Sequence, residues 1–391
     1  VSITKCRECE IPALFVCLFQ SGIIEDYENI FLSESKGLHE GDILFVVLRK
    51  KTVLRCAAAG LTLILAAFYT AGFLTGPVSL YAVNNETEKK HIKWVDFTVP
   101  YTVLKETLKL DIKSYGQEVR LNWIELLAYL AAKYGGNFKR YKKSDLDAVV
   151  KKLNEGMTME EIAKGMKYYD YYLEAYTAVL GGFVGEYEIE VDDPDNPGRK
   201  KFVKKYGLKA FSPIAKGYSY THYDDFGDSR TYGFKRKHLG NDLLGAVGTP
   251  IIAVETGKIE VMGWNRYGGW RIGIRSLDGK RYYYYAHLRK NHPFNNSLAE
   301  GDIVTAGDVI GYMGMTGYST KENVNNIKTP HLHFGMQLIF DESQKDGINQ
   351  IWIDTYHIVK LLEMNKSAVW RDPERNDYFR VYRMIDPVIP D

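Results

Sequence analysis

The run Thr329-Pro330-His331-Leu332-His333-Phe334-Gly335 constrains this chain more than any other stretch. On a β-strand successive side chains alternate between faces, so His331 and His333 point to one side and Leu332 to the other. Two more histidines lie upstream, in His238-Leu239-Gly240-Asn241-Asp242 and in Tyr285-Ala286-His287-Leu288. A catalytic zinc commonly takes three protein ligands from His and carboxylate and keeps a fourth position for water, whose pKa falls to about 7. His238, Asp242 and His333 can fill those three positions. His331 and His287 then remain free to move protons or to steady a developing oxyanion. A lone H-x-H or H-x-x-x-D says little about metal. The ordered set says more, because five of the nine histidines fall in this one segment. The fifth, His292, stands beside Pro293 and is expected to be a solvated loop residue. His222 is expected to be incidental to the chemistry.

The segments H-x-G-x-D, Y-A-H-L and H-L-H-F resemble the signature of the lysostaphin/LytM-type zinc endopeptidases, which cut peptidoglycan. The connecting pieces resemble that family too: Gly248-Thr249-Pro250-Ile251-Ile252-Ala253, the Gly-Asp turn from Glu300 to Gly311, and Met315-Thr316-Gly317. The resemblance runs from about Lys201 to Phe340. It implies Zn2+ held by His238, Asp242 and His333, with His331 as general base and His287 as its partner in stabilising the transition state. It also implies peptidoglycan as substrate, through a stem peptide or a cross-bridge. The alternative within the same fold is a catalytically silent wall-binding scaffold or an activator of another wall hydrolase. A biotinyl- or lipoyl-like carrier is excluded, because the Tyr312-Met313-Gly314-Met315 turn has no lysine to modify.

Net charge of +2 over 391 residues, with 26% charged residues, gives no reason to expect nucleic-acid binding. One stretch is unlike soluble protein. From Cys56 to Val78 there is no charged residue, which is long enough for a spanning helix of about 20 residues. Arg49, Lys50, Lys51 and Arg55 precede it, which favours a cytoplasmic N-terminus and extracytoplasmic C-terminal domains. The expected partners are therefore peptidoglycan and the cytoplasmic membrane, the latter through one helix. All four cysteines lie at or before the apolar run, so the part beyond it has neither disulfides nor thiolate ligands.

The expected fold class is α+β multidomain: an N-terminal transmembrane helix, a helical spacer and a C-terminal, mainly antiparallel β-sheet peptidase domain. Residues 1–45 are expected to be a mis-extended reading frame, 46–55 a short basic cytoplasmic segment and 56–78 the anchor. Four helices are expected over 95–187. The first follows Pro100, and Asn122 caps the second, which ends at Gly135-Gly136. Ser144 caps the third, and a Thr158–Glu161 capping box opens a long fourth one that runs to Gly181-Gly182. Glu125, on the second, faintly suggests a glycan-cleaving acid but sits inside the helix and lacks the small, turn-forming residues that should follow it. The acidic, Pro-rich segment Asp192–Gly198 reads as a tight turn. The β-domain is expected over 201–340, with Tyr282–Tyr285 placing one pair of rings in the core and the other near a cleft. Over 341–391 the expectation is an amphipathic helix from Asn349 to Leu362 and an extended tail.

Overall fold

The computed structural model describes residues 91–347 and 349–390, together with two short strands, β1 (Ile30–Leu32) and β2 (Phe45–Val47). The chain divides into two compact units, Val1–Lys89 and Lys90–Asp391. In the first, β1 and β2 pair antiparallel. The apolar run 56–78, the four cysteines and the rest of the proposed extension and basic segment lie outside the described residues. Among those described, no helix is long and apolar enough to cross a membrane.

The second unit opens with helices α1 (Tyr101–Ser114), α2 (Trp123–Tyr134), α3 (Lys143–Asn154), α4 (Met159–Ala163) and α5 (Tyr169–Leu180). Local chemistry sets their ends. Asn122 accepts from the backbone N–H of Ile124 and Glu125, and Gly135 closes α2 in the left-handed conformation. Thr158 and Glu161 form the expected capping box. The helix they open is short, however, because Lys164 turns extended and Gly165 adopts φ +82°. A separate helix, α5, then reaches Gly181. The third helix starts at Lys143 rather than after Ser144, and its Asp145 is tied to α2 by Tyr134 Oη at 2.6 Å and Lys133 Nζ at 2.7 Å.

The strands that follow are β3 (Val184–Asp192), β4 (Lys200–Leu208), β5 (Thr221–His222), β6 (Ser229–Tyr232), β7 (Phe234–Lys237), β8 (Asn241–Leu244), β9 (Pro250–Ile252), β10 (Gly257–Asn265), β11 (Gly269–Ser276), β12 (Arg281–Ala286), β13 (Ile303–Val304), β14 (Val309–Tyr312) and β15 (His331–Leu338). After them come α6 (Ser343–Asp346), β16 (Ile351–Ile353), α7 (Tyr356–Leu362), β17 (Val369–Asp372), β18 (Asp377–Arg380) and β19 (Met384–Ile385). The main antiparallel sheet has the order β13-β10-β11-β12-β15-β8-β5, with β16 also pairing with β15. The acidic turn joins β3 to β4 as expected.

The C-terminal stretch is less of a tail than its sequence suggests. Ile351 and Ile353 recur at a period of two and are buried against β15, so this segment is a strand where a helix was expected; α7 begins only after Thr355. Likewise β17 and β18 form a hairpin, and β19 adds a third strand to β3 and β4. Asp386, just beyond β19, is buried and accepts from Lys209 Nζ and Thr256 Oγ1, both at 2.7 Å.

Helices and sheet are not separate bodies. One hydrophobic core runs from Val103, Leu126 and Tyr176 through Ile259, Tyr283, Phe334 and Ile358. Within it lies a buried polar knot. Arg281 of β12 is fully buried, pairs with Glu255 through Nε at 2.7 Å and Nη2 at 3.0 Å, and donates from Nη1 to the carbonyl of Ala178 near the end of α5 at 2.7 Å. Tyr283 also donates to Glu255. Gly182 lets the chain pass this knot, since a Cβ there would sit 1.6 Å from Glu255 Oε1. Removing one partner of such a pair strands the other charge in the core. Arg281→Met is expected to cost about 3–5 kcal/mol in urea unfolding, far more than a surface arginine.

His222 on β5 is largely buried against Tyr356, with ring centroids 4.6 Å apart, and neither ring nitrogen has a hydrogen-bond partner among the described residues. Burial first, and then nearby Lys360, push its pKa down to about 4. The folded protein therefore resists a proton that the unfolded chain accepts near pH 6.5, so stability is full above 6.5 and is lost as pH falls towards 4. Denaturation measured at pH 7 and pH 4 is expected to show a loss of up to about 3 kcal/mol that His222→Phe abolishes.

Candidate metal centre

The site is built by strand register. His333 on β15 stands directly opposite Asp242 on β8 and, on its other side, opposite Ala286 of β12. His331 and His333 share one face of β15, as their spacing requires. His238 precedes β8 and is fixed by backbone bonds to both sides of a turn: its N–H donates to Asp228 O and its carbonyl accepts from Gly227 N, each at 2.8 Å. Gly240 is required by close approach, because a Cβ there would lie 2.6 Å from Phe334 O and 2.8 Å from the His333 ring.

Three ligand atoms converge. His238 Nε2 lies 2.7 Å from His333 Nδ1 and 3.1 Å from Asp242 Oδ1, and the last two are 3.3 Å apart. Their chemistry suits a divalent cation. His238 Nδ1 is engaged by the Asp225 carbonyl at 3.1 Å, which puts the proton there and turns the Nε2 lone pair inward. Burial works against a charged His238, yet its hydrogen bonds to the Asp225 and Asp242 carboxylates overcome it and lift its pKa to about 9. Burial would raise Asp242, but its hydrogen bonds to His238 and His333 hold it well below the usual carboxylate range. The cluster favours positive charge at its centre, and two imidazoles with one carboxylate are a donor set that zinc accepts.

The two remaining histidines close the other side. His331 Nδ1 donates to Thr329 O at 2.8 Å, so its free Nε2 is the atom that faces Asp242, 3.6 Å from Oδ1. His287 lies 4.8 Å from His331 between ring centroids and donates from Nδ1 to Thr316 O at 2.9 Å. Its backbone is left-handed at φ +62°, a conformation uncommon among non-glycine residues. Burial, and then the neighbouring His331 and His333, keep its pKa well below 6.5. A neutral His287 therefore offers a lone pair at Nε2 and becomes a donor there only after taking a proton.

These five residues line a cleft of about 320 Å³ together with Arg230, Arg236, Lys237, Tyr267, Tyr284 and Tyr318. Tyr283 and Tyr285 are fully buried as expected, but of the other pair only Tyr284 is at the cleft, 5.8 Å from the His333 ring; Tyr282 is buried and does not line it. His292 differs from expectation: it is paired with the buried Asp377 at 2.9 Å and packs on Tyr312 rather than lying free in solvent. Sequence reading missed Asp225 and Arg230. Arg230 bridges Asp225 at 2.5 Å and Asp242 at 3.3 Å, so it holds the carboxylate that faces the metal position. Neither belongs to a motif; an Asp-Asp pair before an Arg-bearing hairpin was the only signal.

Residues 236–346 match peptidase family M23. This segment is a peptidase M23 domain. An L-Ala–D-Glu endopeptidase of Bacillus subtilis is 41% identical over 124 residues, covering 32% of this chain and 36% of the relative. The glycyl-glycine endopeptidase ALE-1 of Staphylococcus capitis is 45% identical over 98 residues, 25% of this chain and 24% of that protein. The solved catalytic domain of lysostaphin from Staphylococcus simulans is 32% identical over 36% of this chain and 92% of its own, with a TM-score of 0.28. The chain thus spans about a third or less of the curated relatives it matches. The M23 segment starts at Arg236, so β3 to β6 and helices α1 to α5 lie outside it.

Replacing His238, Asp242 or His333 with Ala is expected to abolish stoichiometric zinc binding to the M23 domain. Asp225→Ala keeps the backbone carbonyl that holds His238 Nδ1 but removes the Oδ2 contact to His238 at 3.3 Å, the pair with Arg230 and the bond from Asp242 N, and is expected to weaken zinc by about 10- to 100-fold in a competition titration with a chromophoric chelator.

Proposed function

We propose that this chain is a zinc-dependent endopeptidase that hydrolyses peptide bonds of peptidoglycan, in a stem peptide or a cross-bridge. The observation that carries the reading is the convergence of His238 Nε2, Asp242 Oδ1 and His333 Nδ1 on one point, with two further imidazoles presented beside it. The relatives named above, an L-Ala–D-Glu endopeptidase and a glycyl-glycine endopeptidase, support the choice of peptide bonds in the bacterial wall. We further propose that the apolar run 56–78 holds the enzyme at the outer face of the cytoplasmic membrane, next to this substrate.

A divalent ion held by the three ligand atoms supplies Lewis acidity, which polarises the scissile carbonyl and acidifies water. The chain's own groups move the protons. His331, with Nδ1 tied to Thr329, accepts the proton of the attacking water at Nε2 and delivers it to the departing amine. His287 rests neutral. Negative charge growing on the carbonyl oxygen favours uptake of a proton from solvent at Nε2, which donates to that oxygen and is returned to solvent when the oxyanion collapses. Arg230 keeps Asp242 oriented through both steps.

The test is digestion of purified peptidoglycan by the full chain, with new amino termini located by mass spectrometry. Zinc-loaded protein is expected to release them, and protein treated with a chelator is not. His331→Ala and His287→Ala are expected to keep their zinc while slowing cleavage by about 10²- to 10⁴-fold. Full activity in His333→Ala would defeat the assignment. Carbonate-resistant membrane association in cell fractions tests the anchor.

A further inference from the structure

Three cationic side chains, Arg230, Arg236 and Lys237, and a single carboxylate, Asp242, line the metal cleft. The β6–β7 hairpin sets Arg230 directly opposite Arg236 and Ser229 opposite Lys237. Like charges in that relation repel, so the arrangement calls for compensation. Arg230 has it, from Asp225 and Asp242. Arg236 forms no ion pair among the described residues. Its guanidinium packs on the rings of Tyr267 and Tyr318, with Cζ 5.0 and 5.1 Å from their centroids, and Nη2 donates to Tyr318 Oη at 2.9 Å. Nη1 is shielded from solvent and has no hydrogen-bond partner among the described residues. One arm of the guanidinium is thus without an acceptor, and a planar carboxylate is the group that matches a guanidinium fork.

Tyr318 places this cation beside the chemistry. Its ring centroid is 5.8 Å from that of His287, and its backbone, at φ +47°, is bonded to Tyr267 O at 3.2 Å. A bulky residue in that conformation is uncommon and marks a position held by its surroundings. A substrate peptide threaded past His287 and His331 thus brings the residue flanking its scissile bond to the Arg236 side of the cleft.

We propose that Arg236, with Lys237 at the rim, is the receptor for a free carboxylate on the substrate residue next to the scissile bond. The site then prefers acidic stem peptides to neutral glycine cross-bridges. This inference rests on the endopeptidase reading and narrows it.

The experiment uses zinc-loaded full chain and two synthetic stem peptides with an L-Ala–γ-D-Glu bond. The D-Glu α-carboxyl is free in one and a carboxamide in the other. The free acid is expected to show a kcat/KM about 10- to 100-fold higher, the worth of a charge-assisted hydrogen bond. Arg236→Gln is expected to bring that ratio near one, mainly through KM, while Arg236→Lys keeps an intermediate ratio. A wild-type ratio near one overturns the proposal, and so does a Gln variant that slows both peptides equally. The first comparison needs no variant and is immune to misfolding. If neither peptide is cut, digestion of purified peptidoglycan decides the endopeptidase reading separately, and calorimetry with zinc-loaded His331→Ala decides the inference. Tighter binding of the free acid by the same factor upholds it, and equal affinity overturns it.

Discussion

The pairing of β15 with β8 is the constraint on which this molecule depends. It sets His333 across from Asp242, and the neighbouring pairing with β12 brings His287 to the same rim. A slip of one residue in either ladder would turn the histidines of β15 to the opposite face and leave Asp242 without them. The buried residues between the ligands prevent that slip. Leu332, Phe334 and Met336 are fully buried on the other side of the strand, so the register that fills the core is also the one that assembles the ligands. Asn241, next to Asp242, adds a polar lock: its side chain accepts from Thr355 N at 2.9 Å and from Thr355 Oγ1 at 2.7 Å, tying β8 to the start of α7.

The knot around Arg281 has a comparable role on the far side of the sheet. Burying a charge pair rarely adds net stability over apolar packing, but it accepts only one arrangement of its partners. Here those partners come from the end of α5, the segment after β9 and the start of β12. The helices are thereby held against the sheet in one way. The helical region is a wall of the same body rather than a spacer between an anchor and an enzyme.

What could be read from sequence was what depends on near neighbours. The His331/His333 alternation, the Asn122 and Gly135 caps, the Thr158 box and the burial of Tyr283 and Tyr285 all follow from contacts a few residues apart, and the structure has them. The failures share a different cause. His292 meets Asp377 across 85 positions of chain, and Asp225 reaches His238 only because a hairpin folds back between them. Ile351 and Ile353 carried a strand period too short to stand out beside the helix that follows. Arg281 sits at the head of an aromatic strand, and its partner Glu255 is 26 residues earlier. Pairwise electrostatics between distant residues leaves no periodic mark.

The lock at Asp386 bears on how this protein can be handled. Lys209 is almost wholly buried, and Asp386 is the carboxylate that neutralises it. A chain cut between Ile385 and Asp386 would trap a bare ammonium in the interior and at the same stroke loosen the edge strand that shields β3, inviting sheet-to-sheet aggregation. Expression boundaries and proteolytic trimming are therefore tolerable only downstream of that aspartate.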